Sequence, residues 1–420
     1  MIVKDESHII ERCLKSVLPI IDYWVIVDTG STDPTKSVIE HFLSEIPGEL
    51  HERPWVNFGH NRDEALQLAK NKADYILFMD ADDALVFEKD FVMPDLLADC
   101  YSTVSSSSGG ATEYHFTRLI KADLDWHWYG VLHEYAYAPN ARDYQMLPGV
   151  TYAYLSGGAR SKDPTTYQKD VEILKSALLE NPFDSRYTFY LAQTYACLKQ
   201  YEEAIKMYQR RVELGGWEEE VFWSKLQIAI IQGRLAQDEK IVLSSFCDAY
   251  LFRKSRAEPL YYIGAMLRID GDNETAYQIL KQGLKLPLSS DRLFVEKWIY
   301  EYGMLFEYSI ASYWVGKYQE SLNACDKLLE MDQLPKTLRE WTLSNREFAV
   351  QKVEELKSQG QDNSTEIEID KPLNNEKLPA LFATLFKQQN GNGSIWKEVR
   401  YFTFPVQQVL TSNIAPSFAN

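Results

Sequence analysis

Two acidic clusters, each directly after a short apolar run, are the residues of this sequence best suited to chemistry. Asp80, Asp82 and Asp83 follow the run DYILFM, and Asp28 closes the run YWVIV. Two carboxylates spaced two residues apart at a strand end point near one spot, and their oxygen atoms suit Mg²⁺ or Mn²⁺. Such a cation could hold a diphosphate and neutralise the charge on a departing nucleoside diphosphate. A solvated acidic turn is the alternative for the second cluster, because this spacing is common on acidic loops.

The segment VDTGSTDPT at residues 27–35 is rich in residues that form turns and begin helices. A carboxylate at Asp28 could accept a hydrogen bond from a base N–H group or from a ribose hydroxyl. Asp33 suits the N-cap of the next helix, and Pro34 suits its first helical position. We therefore expect Asp28 to be functional and Asp33 to be structural.

The first hundred residues supply the elements that could bring these acids together. The apolar runs YWVIVD and DYILFMD predict strands, and helical periodicity covers residues 36–44 and 59–72. This order and spacing predict a parallel α/β sheet, in which ligands bind beyond the carboxyl ends of the strands. Residues 101–110 (YSTVSSSSGG) predict a polar loop, and residues 111–160 predict an antiparallel remainder of the same domain.

From about residue 165 the pattern is helical and repeats itself. Three units each carry a small residue on a first helix and another, twelve positions later, on a second helix. The pairs are Ala192 with Ala204, Gly264 with Ala276, and Ser309 with Ser321. Small residues at this spacing let two helices approach closely. The pattern resembles the tetratricopeptide repeat. The segment WEEEVFWSKLQIAIIQGRL predicts a degenerate fourth unit, and the units must stack to bury their apolar faces.

These patterns divide the chain into three parts. Residues 1–160 are predicted to form the α/β domain, and residues 165–356 the tetratricopeptide-like helical repeats. Residues 357–420 begin with the polar stretch KSQGQDNSTEIEIDKP and are predicted to be a linker and C-terminal tail.

Composition limits the classes of binding partner and the cellular compartment that we expect. The formal net charge of −17 argues against nucleic acid, because an acidic surface repels phosphate backbones. The five cysteines include no C-x-x-C pair and no histidine at zinc-ligand spacing, which is typical of reduced thiols. The N-terminus lacks the apolar region of a signal peptide, and no apolar run approaches the ~20 residues that a membrane span needs. We therefore predict a cytoplasmic protein with no transmembrane segment.

The motifs together resemble one enzyme family. MIVKDES, VIVDTGSTDPT, GHNRDEAL and FMDADD occur in the order and spacing of family 2 glycosyltransferases of GT-A fold. YGVLHEY and SGGARSKDP, followed by the repeats, resemble a subgroup with C-terminal tetratricopeptide repeats. The resemblance implies a Rossmann-like α/β GT-A domain followed by an all-α repeat domain. It also implies metal-dependent, inverting transfer from a nucleotide-sugar donor of the UDP type, with Mn²⁺ or Mg²⁺.

The resemblance assigns residues to the nucleotide. Val3 and Glu6 match the loop after the first strand, which touches the base and ribose in the family. Asp28 matches the acid that contacts uracil. Arg62, with Asn61, matches the arginine near the base and diphosphate.

It also assigns residues to the reaction. Asp80 and Asp82 match the D-x-D motif, with Asp82 the expected direct metal ligand. His133 and Glu134 match a His-Glu pair, in which Glu134 could be the general base and His133 a metal or phosphate contact. Arg160 lies in a Gly-rich basic stretch that could close over the diphosphate.

Competing interpretations remain open for these later residues. The His133-Glu134 pair could be a surface pair, with Asp123 and Asp125 as competing bases. Trp126 and Trp128 could stack on a sugar ring, although tryptophan is more often a core residue. The stretch of Gly157, Gly158, Arg160 and Lys162 could instead be an interdomain linker.

Two features depart from the family pattern. Met1 falls inside the expected first strand, where relatives usually have several preceding residues, so the strand is either cut or short. Relatives often carry a histidine just before the Gly-Gly loop, where this sequence has Tyr154, Leu155 and Ser156. These departures favour an alternative function, a catalytically inactive glycosyltransferase-like scaffold that acts as a protein-binding adaptor. The retained acids and Arg62 argue against it.

The repeats predict partners of their own. Tetratricopeptide arrays commonly bind peptides on a concave surface, so we predict a protein or peptide acceptor. Self-association into a homo-oligomer is the alternative use. A nucleotidyltransferase would use similar acids at the strand ends. It also needs a Gly-rich and basic N-terminal loop to bind a triphosphate, which this sequence lacks.

Overall fold

A computed structural model describes residues 1–107, 113–155, 157–158, 160 and 163–359. Within these ranges the chain divides into two compact units. The first comprises residues 1–216 with 292–294, and the second comprises residues 217–291 and the described residues from 295 onward. Lys162 and Ser156 lie outside the described residues, as does the tail from residue 360.

The first unit opens with a three-stranded parallel sheet in the order β1-β2-β3. Its strands are β1 (Ile2–Val3), β2 (Trp24–Asp28) and β3 (Gly48–Glu52). Its helices are α1 (Ile10–Val17), α2 (Thr35–Phe42) and α3 (Phe58–Ala69), with a 3₁₀ turn at Leu18–Ile20. Ile10, Leu14, Ile26 and Ile39 are buried in one cluster between the sheet and its helices. The predicted strand over YWVIVD and both predicted helices are therefore confirmed.

A five-stranded sheet follows, in the order β4-β7-β6-β10-β5, with a separate hairpin of β8 and β9. The strands are β4 (Tyr75–Leu77), β5 (Ala84–Phe87), β6 (Cys100–Ser107), β7 (Glu113–Lys121), β8 (His127–Tyr129), β9 (Tyr135–Tyr137) and β10 (Tyr144–Tyr154). Its pairs are antiparallel except β6 with β10. The predicted antiparallel remainder is thus present, and the whole α/β part has a mixed sheet architecture.

Two local predictions differ from the structure. Residues 101–107 form strand β6 and not a polar loop, because β7 and β10 supply hydrogen-bonding partners on both sides. Residues 108–110 of that predicted loop lie outside the described residues. Strand β4 pairs antiparallel with β7 and joins no parallel ladder among the described strands. Asp28 and Asp80 therefore follow strands of two different sheets.

A cavity of about 550 Å³ is lined by residues of both sheets, including Ile26 of β2 and Ile76 and Leu77 of β4. The amino group of Met1 lies beside it and donates to the Val25 carbonyl at 3.1 Å. Burial lowers the pKa of this amino group to about 6. Among the described strands, the hydrogen-bonded ladders of the two sheets are separate.

Helices make up the remaining described chain. The first unit contains α4 (Thr166–Glu180), α5 (Ser185–Cys197) and α6 (Tyr201–Leu214). The second contains α7 (Glu218–Arg234), α8 (Glu239–Phe252), α9 (Glu258–Ile269), α10 (Asn273–Gly283), a π-helical turn (Ile299–Gly303), α11 (Met304–Trp314), α12 (Tyr318–Leu329) and α13 (Lys336–Ser358). Sequential helices pack as pairs, α5 with α6, α7 with α8, α9 with α10 and α11 with α12. The predicted repeats, with the degenerate fourth, are present as helix pairs.

The small residues lie where the helices of a pair cross. Ala192 and Ala204 are fully buried in the α5–α6 pair. The Ser321 hydroxyl donates to the Ser309 carbonyl at 2.8 Å, which joins α12 to α11. A Cβ atom built on Gly264 would lie 2.5 Å from Leu280 Cγ, closer than real Cβ atoms come. The twelve-residue spacing therefore marks close helix–helix contacts.

Two further findings concern the helices and the cysteines. None of the described helices is both long enough and apolar enough to cross a bilayer. The five cysteines form no disulfide bond within the described chain.

Replacement of Gly264 by alanine should destabilise the second unit although alanine is the better helix former. The new methyl group must displace Leu280, and overpacking of this kind costs about 1–3 kcal/mol. Gly233→Ala on α7 is the matched control, because its Cβ would lie 3.7 Å from Val242 Cγ1, an ordinary contact. It should stabilise the helix by about 0.5–1 kcal/mol. Urea unfolding followed by circular dichroism measures both changes, and equal effects would contradict close packing at Gly264.

Candidate functional site

The start of helix α3 is fixed by hydrogen bonds just before the residue that faces inward, Arg62. The Asn57 side chain accepts from the His60 N–H at 2.8 Å and caps the helix. The buried Asn61 amide accepts from the Val56 N–H at 2.9 Å and donates to the Pro54 carbonyl at 3.0 Å. The hydrogen bonds of Asn61 therefore hold the loop before α3, and the next residue, Arg62, is directed into the protein.

Arg62 joins two of the residues that the sequence singles out. Its Nε atom donates to Glu134 Oε1, and its Nη2 atom donates to Asp80 Oδ1 at 2.6 Å. All three side chains are less than a tenth exposed. The guanidinium also lies 5.3 Å from the centre of the Trp128 ring. The structure thus brings together Arg62, Asp80 and Glu134, which lie far apart in the sequence.

Asp80 accepts from a second arginine and a tyrosine. Arg118 Nη1 on β7 lies 3.3 Å from Asp80 Oδ2, and the Tyr152 hydroxyl donates to the same oxygen at 3.2 Å. Burial alone would raise the pKa of Asp80, but the charges of Arg62 and Arg118 outweigh it and lower the pKa to about 2. Sequence reasoning missed Arg118; its signal is an arginine inside the strand sequence HFTRLI.

Glu134 lies at the end of a short loop that approaches α3 closely. A Cβ atom on Gly59 would clash with the Gly130 carbonyl, so this approach requires a glycine. Glu134 is 4% exposed, and its Oε2 atom has no hydrogen-bond partner among the described residues. A buried carboxylate oxygen without a partner is costly, which suggests a ligand or water at this position.

Asp82 and Asp83 complete the acidic cluster after β4. Asp83 Oδ1 accepts from the Leu155 N–H at 3.0 Å, and its buried Oδ2 has no partner within the described chain. Burial raises the pKa of Asp83 to about 8, and the charges of Asp80 and Asp82 act in the same direction. Burial and then the charge of Asp80 raise the pKa of Asp82. The cluster therefore carries more carboxyl groups than its arginines neutralise.

The Asp82 side chain lies against the Gly-Gly loop. A Cβ atom on Gly158 would overlap the Asp82 carboxylate, so only a glycine permits this contact. The Asp82 carbonyl accepts from Arg12 Nη2. Loop and acid are therefore close neighbours, although Lys162 of the same stretch lies outside the described residues.

Asp28 forms a tight turn beyond β2. Its Oδ1 atom accepts from the N–H groups of Gly30 at 2.9 Å and Ser31 at 2.8 Å. Gly30 has a φ of 108°, which favours glycine. The Asp28 side chain is 1% exposed, and its Oδ2 atom has no partner in the described part of the chain. Within the described chain, the Asp28 carboxylate is therefore hydrogen-bonded through one of its two oxygens.

The loop after β1 is held against the same turn. The Val3 carbonyl accepts from the Thr29 N–H at 2.9 Å, and the Glu6 N–H donates to the Thr35 hydroxyl at 2.8 Å. Asp33 Oδ2 accepts from the Ser7 N–H at 3.1 Å. The hydrogen bonds of the Asp33 side chain are thus structural, although helix α2 begins at Thr35 and not at Pro34.

His133 has a positive φ and packs against helix α5. Its φ is 54°, a value that is uncommon for residues other than glycine. Its ring stacks on Tyr190 with 3.9 Å between ring centres, and Arg186 Nη2 donates to its carbonyl at 2.7 Å. Burial, followed by the charges of Arg186 and Arg160, lowers the pKa of His133 to about 3. The imidazole is therefore neutral at physiological pH.

The other predicted residues are distributed as follows. Arg160 donates to both oxygens of Asp170 at 2.7 Å, an ion pair with helix α4. Trp126 and Trp128 are buried in a cluster with Phe78, which favours the core interpretation. The side chains of Asp123 and Asp125 are 66% and 69% exposed, unlike that of Glu134.

Parts of the chain are similar to known proteins. The family described as glycosyl transferase family 2 matches residues 1–106. A TPR repeat-containing protein of Synechococcus elongatus is 26% identical over 231 residues, which cover 51% of this chain and 55% of that protein. A protein of Rickettsia bellii named as an uncharacterized glycosyltransferase is 34% identical over 85 residues, 20% of this chain and 27% of that protein. The chain thus spans about half or less of the curated relatives it matches.

Among solved structures, a tetratricopeptide repeat protein from Parabacteroides merdae is similar, at 15% sequence identity and a TM-score of 0.34. The match covers 58% of this chain and 91% of that protein.

The buried histidine should make stability fall with acidity. The folded-state pKa of His133 is about 3, below the ~6.5 of an unfolded histidine, so the unfolded chain is protonated first. Its contribution is complete above pH ~6.5 and declines toward pH ~3. Between pH 6 and 4.5, the free energy of unfolding of wild type should fall by about 2 kcal/mol more than that of His133→Asn. Tyr190→Phe keeps the stacked ring and should keep the wild-type slope; equal slopes for wild type and His133→Asn would contradict a buried neutral imidazole.

Proposed function

Since residues 1–106 form a glycosyl transferase family 2 domain, we propose that this chain is a metal-dependent, inverting glycosyltransferase that uses a UDP-sugar. The observation that carries the proposal is the double ion pair of Arg62. One buried guanidinium contacts both Asp80 of the D-x-D motif and Glu134. The acid expected at the diphosphate and the acid expected at the acceptor therefore lie on either side of one cation, within reach of one small substrate.

The donor nucleotide is assigned to the turn beyond β2. Asp28 presents a buried, unpartnered oxygen, and two backbone N–H groups fix its other oxygen. A uracil N–H or a ribose hydroxyl would satisfy this oxygen, as its desolvation demands. Val3 and Glu6 border this turn through the loop after β1, which supports their assignment to the base and ribose.

The metal is assigned to Asp82. The described residues hold no group of three or more ligand side chains, so a cage made of protein alone is not the arrangement we propose. Mg²⁺ and similar cations are commonly held by one or two carboxylates together with substrate phosphates. Asp82 offers such a carboxylate in a cluster with excess acid, so the residues fit a cation of this kind. When bound, the cation would neutralise charge on the leaving diphosphate.

Asp80 is proposed to orient arginine side chains and not to bind the metal directly. Its two oxygens accept from Arg62, Arg118 and Tyr152, so it orients two guanidinium groups. Fixed positive charge beside a leaving group stabilises the charge that develops as the bond breaks. Asp80 thus contributes mainly by holding Arg62 and Arg118, and Asp82 contributes the metal contact.

Glu134 is the proposed general base. Its Oε1 atom is held by Arg62, which leaves the unpartnered Oε2 atom to take the proton of an acceptor hydroxyl. In a single displacement, the acceptor oxygen attacks the anomeric carbon while the bond from that carbon to the diphosphate oxygen breaks.

The acceptor of the sugar and the cellular compartment of the protein remain predictions. Binding of a protein or peptide acceptor by the helical repeats is consistent with the helix pairs of α5 to α12. A homo-oligomer formed through the same helices is the competing prediction. Thiols without disulfides fit the predicted cytoplasmic setting.

Metal-dependent binding of UDP is the first test of the donor site. Wild type should bind UDP more tightly with Mn²⁺, and Asp82→Ala should lose this dependence because the protein ligand to the cation is gone. Asp28→Asn should weaken UDP binding about 10- to 100-fold, because a buried charged acceptor is replaced. Isothermal titration calorimetry measures all three.

Asp95→Asn is the matched control, since Asp95 is an exposed acid of the same domain. It should bind UDP as wild type does. If folded wild type bound no UDP with or without Mn²⁺, the enzyme proposal would fail and the alternative of an inactive, protein-binding scaffold would be favoured.

Replacement of Glu134 by glutamine should separate binding from chemistry. Glutamine keeps the size of the side chain but cannot accept a proton, so turnover of a UDP-sugar should fall about 10²- to 10⁴-fold. UDP binding should change less than threefold, because Asp80 still holds Arg62 and no direct donor contact is assigned to Glu134. Release of UDP, followed by a coupled assay, measures turnover; Asp123→Asn is the control for a competing base. An active Glu134→Gln enzyme would exclude Glu134 as the base.

A further inference from the structure

The loop that carries Glu134 is attached to helix α5, the first helix of the first repeat. The Val131 N–H donates to the Tyr187 hydroxyl at 3.1 Å. Arg186 donates to the His133 carbonyl from Nε at 3.1 Å and from Nη2 at 2.7 Å. Helix α5 and this loop belong to the same compact unit. Helix α5 is therefore hydrogen-bonded to the loop backbone at Val131 and at His133, both within four residues of Glu134.

Packing reinforces these hydrogen bonds. The His133 ring lies parallel to the Tyr190 ring, with 3.9 Å between ring centres and 12° between ring planes. The Arg186 guanidinium lies 4.9 Å from the centre of the Tyr135 ring and 4.9 Å from that of the Tyr190 ring. Between these contacts, Leu132 is buried among residues of α4 and α5. Each residue from 131 to 133 thus contacts a helix.

The loop backbone needs such support. Gly130 has a φ of 105° and His133 a φ of 54°, and a positive φ is uncommon for residues other than glycine. Backbone in sparsely populated regions persists only where surrounding contacts over-determine it. On its other side, the loop meets α3 through the close approach of Gly130 to Gly59. The loop is therefore clamped between α3, which carries Arg62, and α5.

We propose that helix α5 is part of the catalytic unit and that Arg186 is a positioning residue, which fixes the Glu134 loop against Arg62. This inference rests on the proposed role of Glu134 as the base. Arg186 itself touches the His133 carbonyl and two aromatic rings, and it acts on the reaction through the loop. A base displaced by about 1 Å can lose a factor of about 10² in rate, so a support one residue away is sufficient to control turnover.

Hydrogen exchange of the full chain, read by mass spectrometry, tests the attachment without any substrate. Arg186→Ala should raise exchange of the amides of residues 130–135 at least tenfold and leave those of β2 unchanged. Arg186→Lys can make only one hydrogen bond to the carbonyl and should show an intermediate increase. Arg210→Ala on α6 is the control, since Arg210 pairs with Glu213 at the surface. It should leave residues 130–135 as in wild type.

Turnover of a UDP-sugar tests the catalytic consequence. Arg186→Ala should lower kcat about 10- to 100-fold, while KM for the donor and the UDP dissociation constant change less than threefold. Arg186→Lys should restore part of kcat, as a positioning role requires. If Arg186→Ala fails to fold, Tyr187→Phe replaces it, because this variant loses only the hydroxyl that accepts from Val131.

The outcomes are distinguishable. Unchanged exchange at residues 130–135, or an equal rise at β2, would overturn the inference. Loss of donor binding together with kcat would overturn it as well, since that pattern indicates general damage. If the exchange result holds but wild type turns over no UDP-sugar, the proposed function fails while the attachment of the loop to Arg186 is supported.

Discussion

The site depends on the buried guanidinium of Arg62. Arg62 is 7% exposed and pairs with Asp80 and Glu134, which are also buried. Removing one member of a buried ion pair typically costs about 3–5 kcal/mol, because the remaining charge keeps its desolvation penalty. Three segments that are remote in sequence, namely helix α3, the end of β4 and the loop at residue 134, are therefore fixed to one another. Any chemistry at this site therefore takes place with these three segments in one fixed arrangement.

The same cation explains why the neighbouring acids are unusual. Asp80 remains ionised because Arg62 and Arg118 both face it, and its charge then acts on the acids that follow it. Asp82 and Asp83 share the buried cluster without an arginine that faces them as closely, and burial together with the charge of Asp80 raises the pKa of both. An excess of carboxyl groups in a low-dielectric site attracts a divalent cation, since binding removes the mutual repulsion. Within the described chain, Asp83 Oδ2 and Glu134 Oε2 are the carboxylate oxygens of this network that are buried without a hydrogen-bond partner.

Sequence reasoning predicted those elements whose signals are local. Apolar runs closed by acids gave β2 and β4, helical periodicity gave α2 and α3, and the twelve-residue spacing of small residues gave the helix pairs. It missed β6, because a Ser-rich segment becomes a strand only through the ladders of β7 and β10. It missed Arg118, because the partner of this residue is set by strand pairing and not by spacing. The antiparallel pairing of β4 was equally hidden, since the apolar run is the same for either direction.

The boundary of the first unit also depends on contacts that local sequence signals do not report. A change from mixed to helical periodicity places a boundary near residue 160, because periodicity reports the type of element. It does not report which core an element joins, and helices α4 to α6 lie in the compact unit of the two sheets. Leu132, from the loop beside Glu134, is buried against Leu174 of α4 and Leu191 of α5. A repeat helix that buries a residue of this loop has to satisfy the geometry of the site as well as that of its own helix pair. Its surface residues, Arg186 among them, are therefore constrained by the site and not only by the repeat.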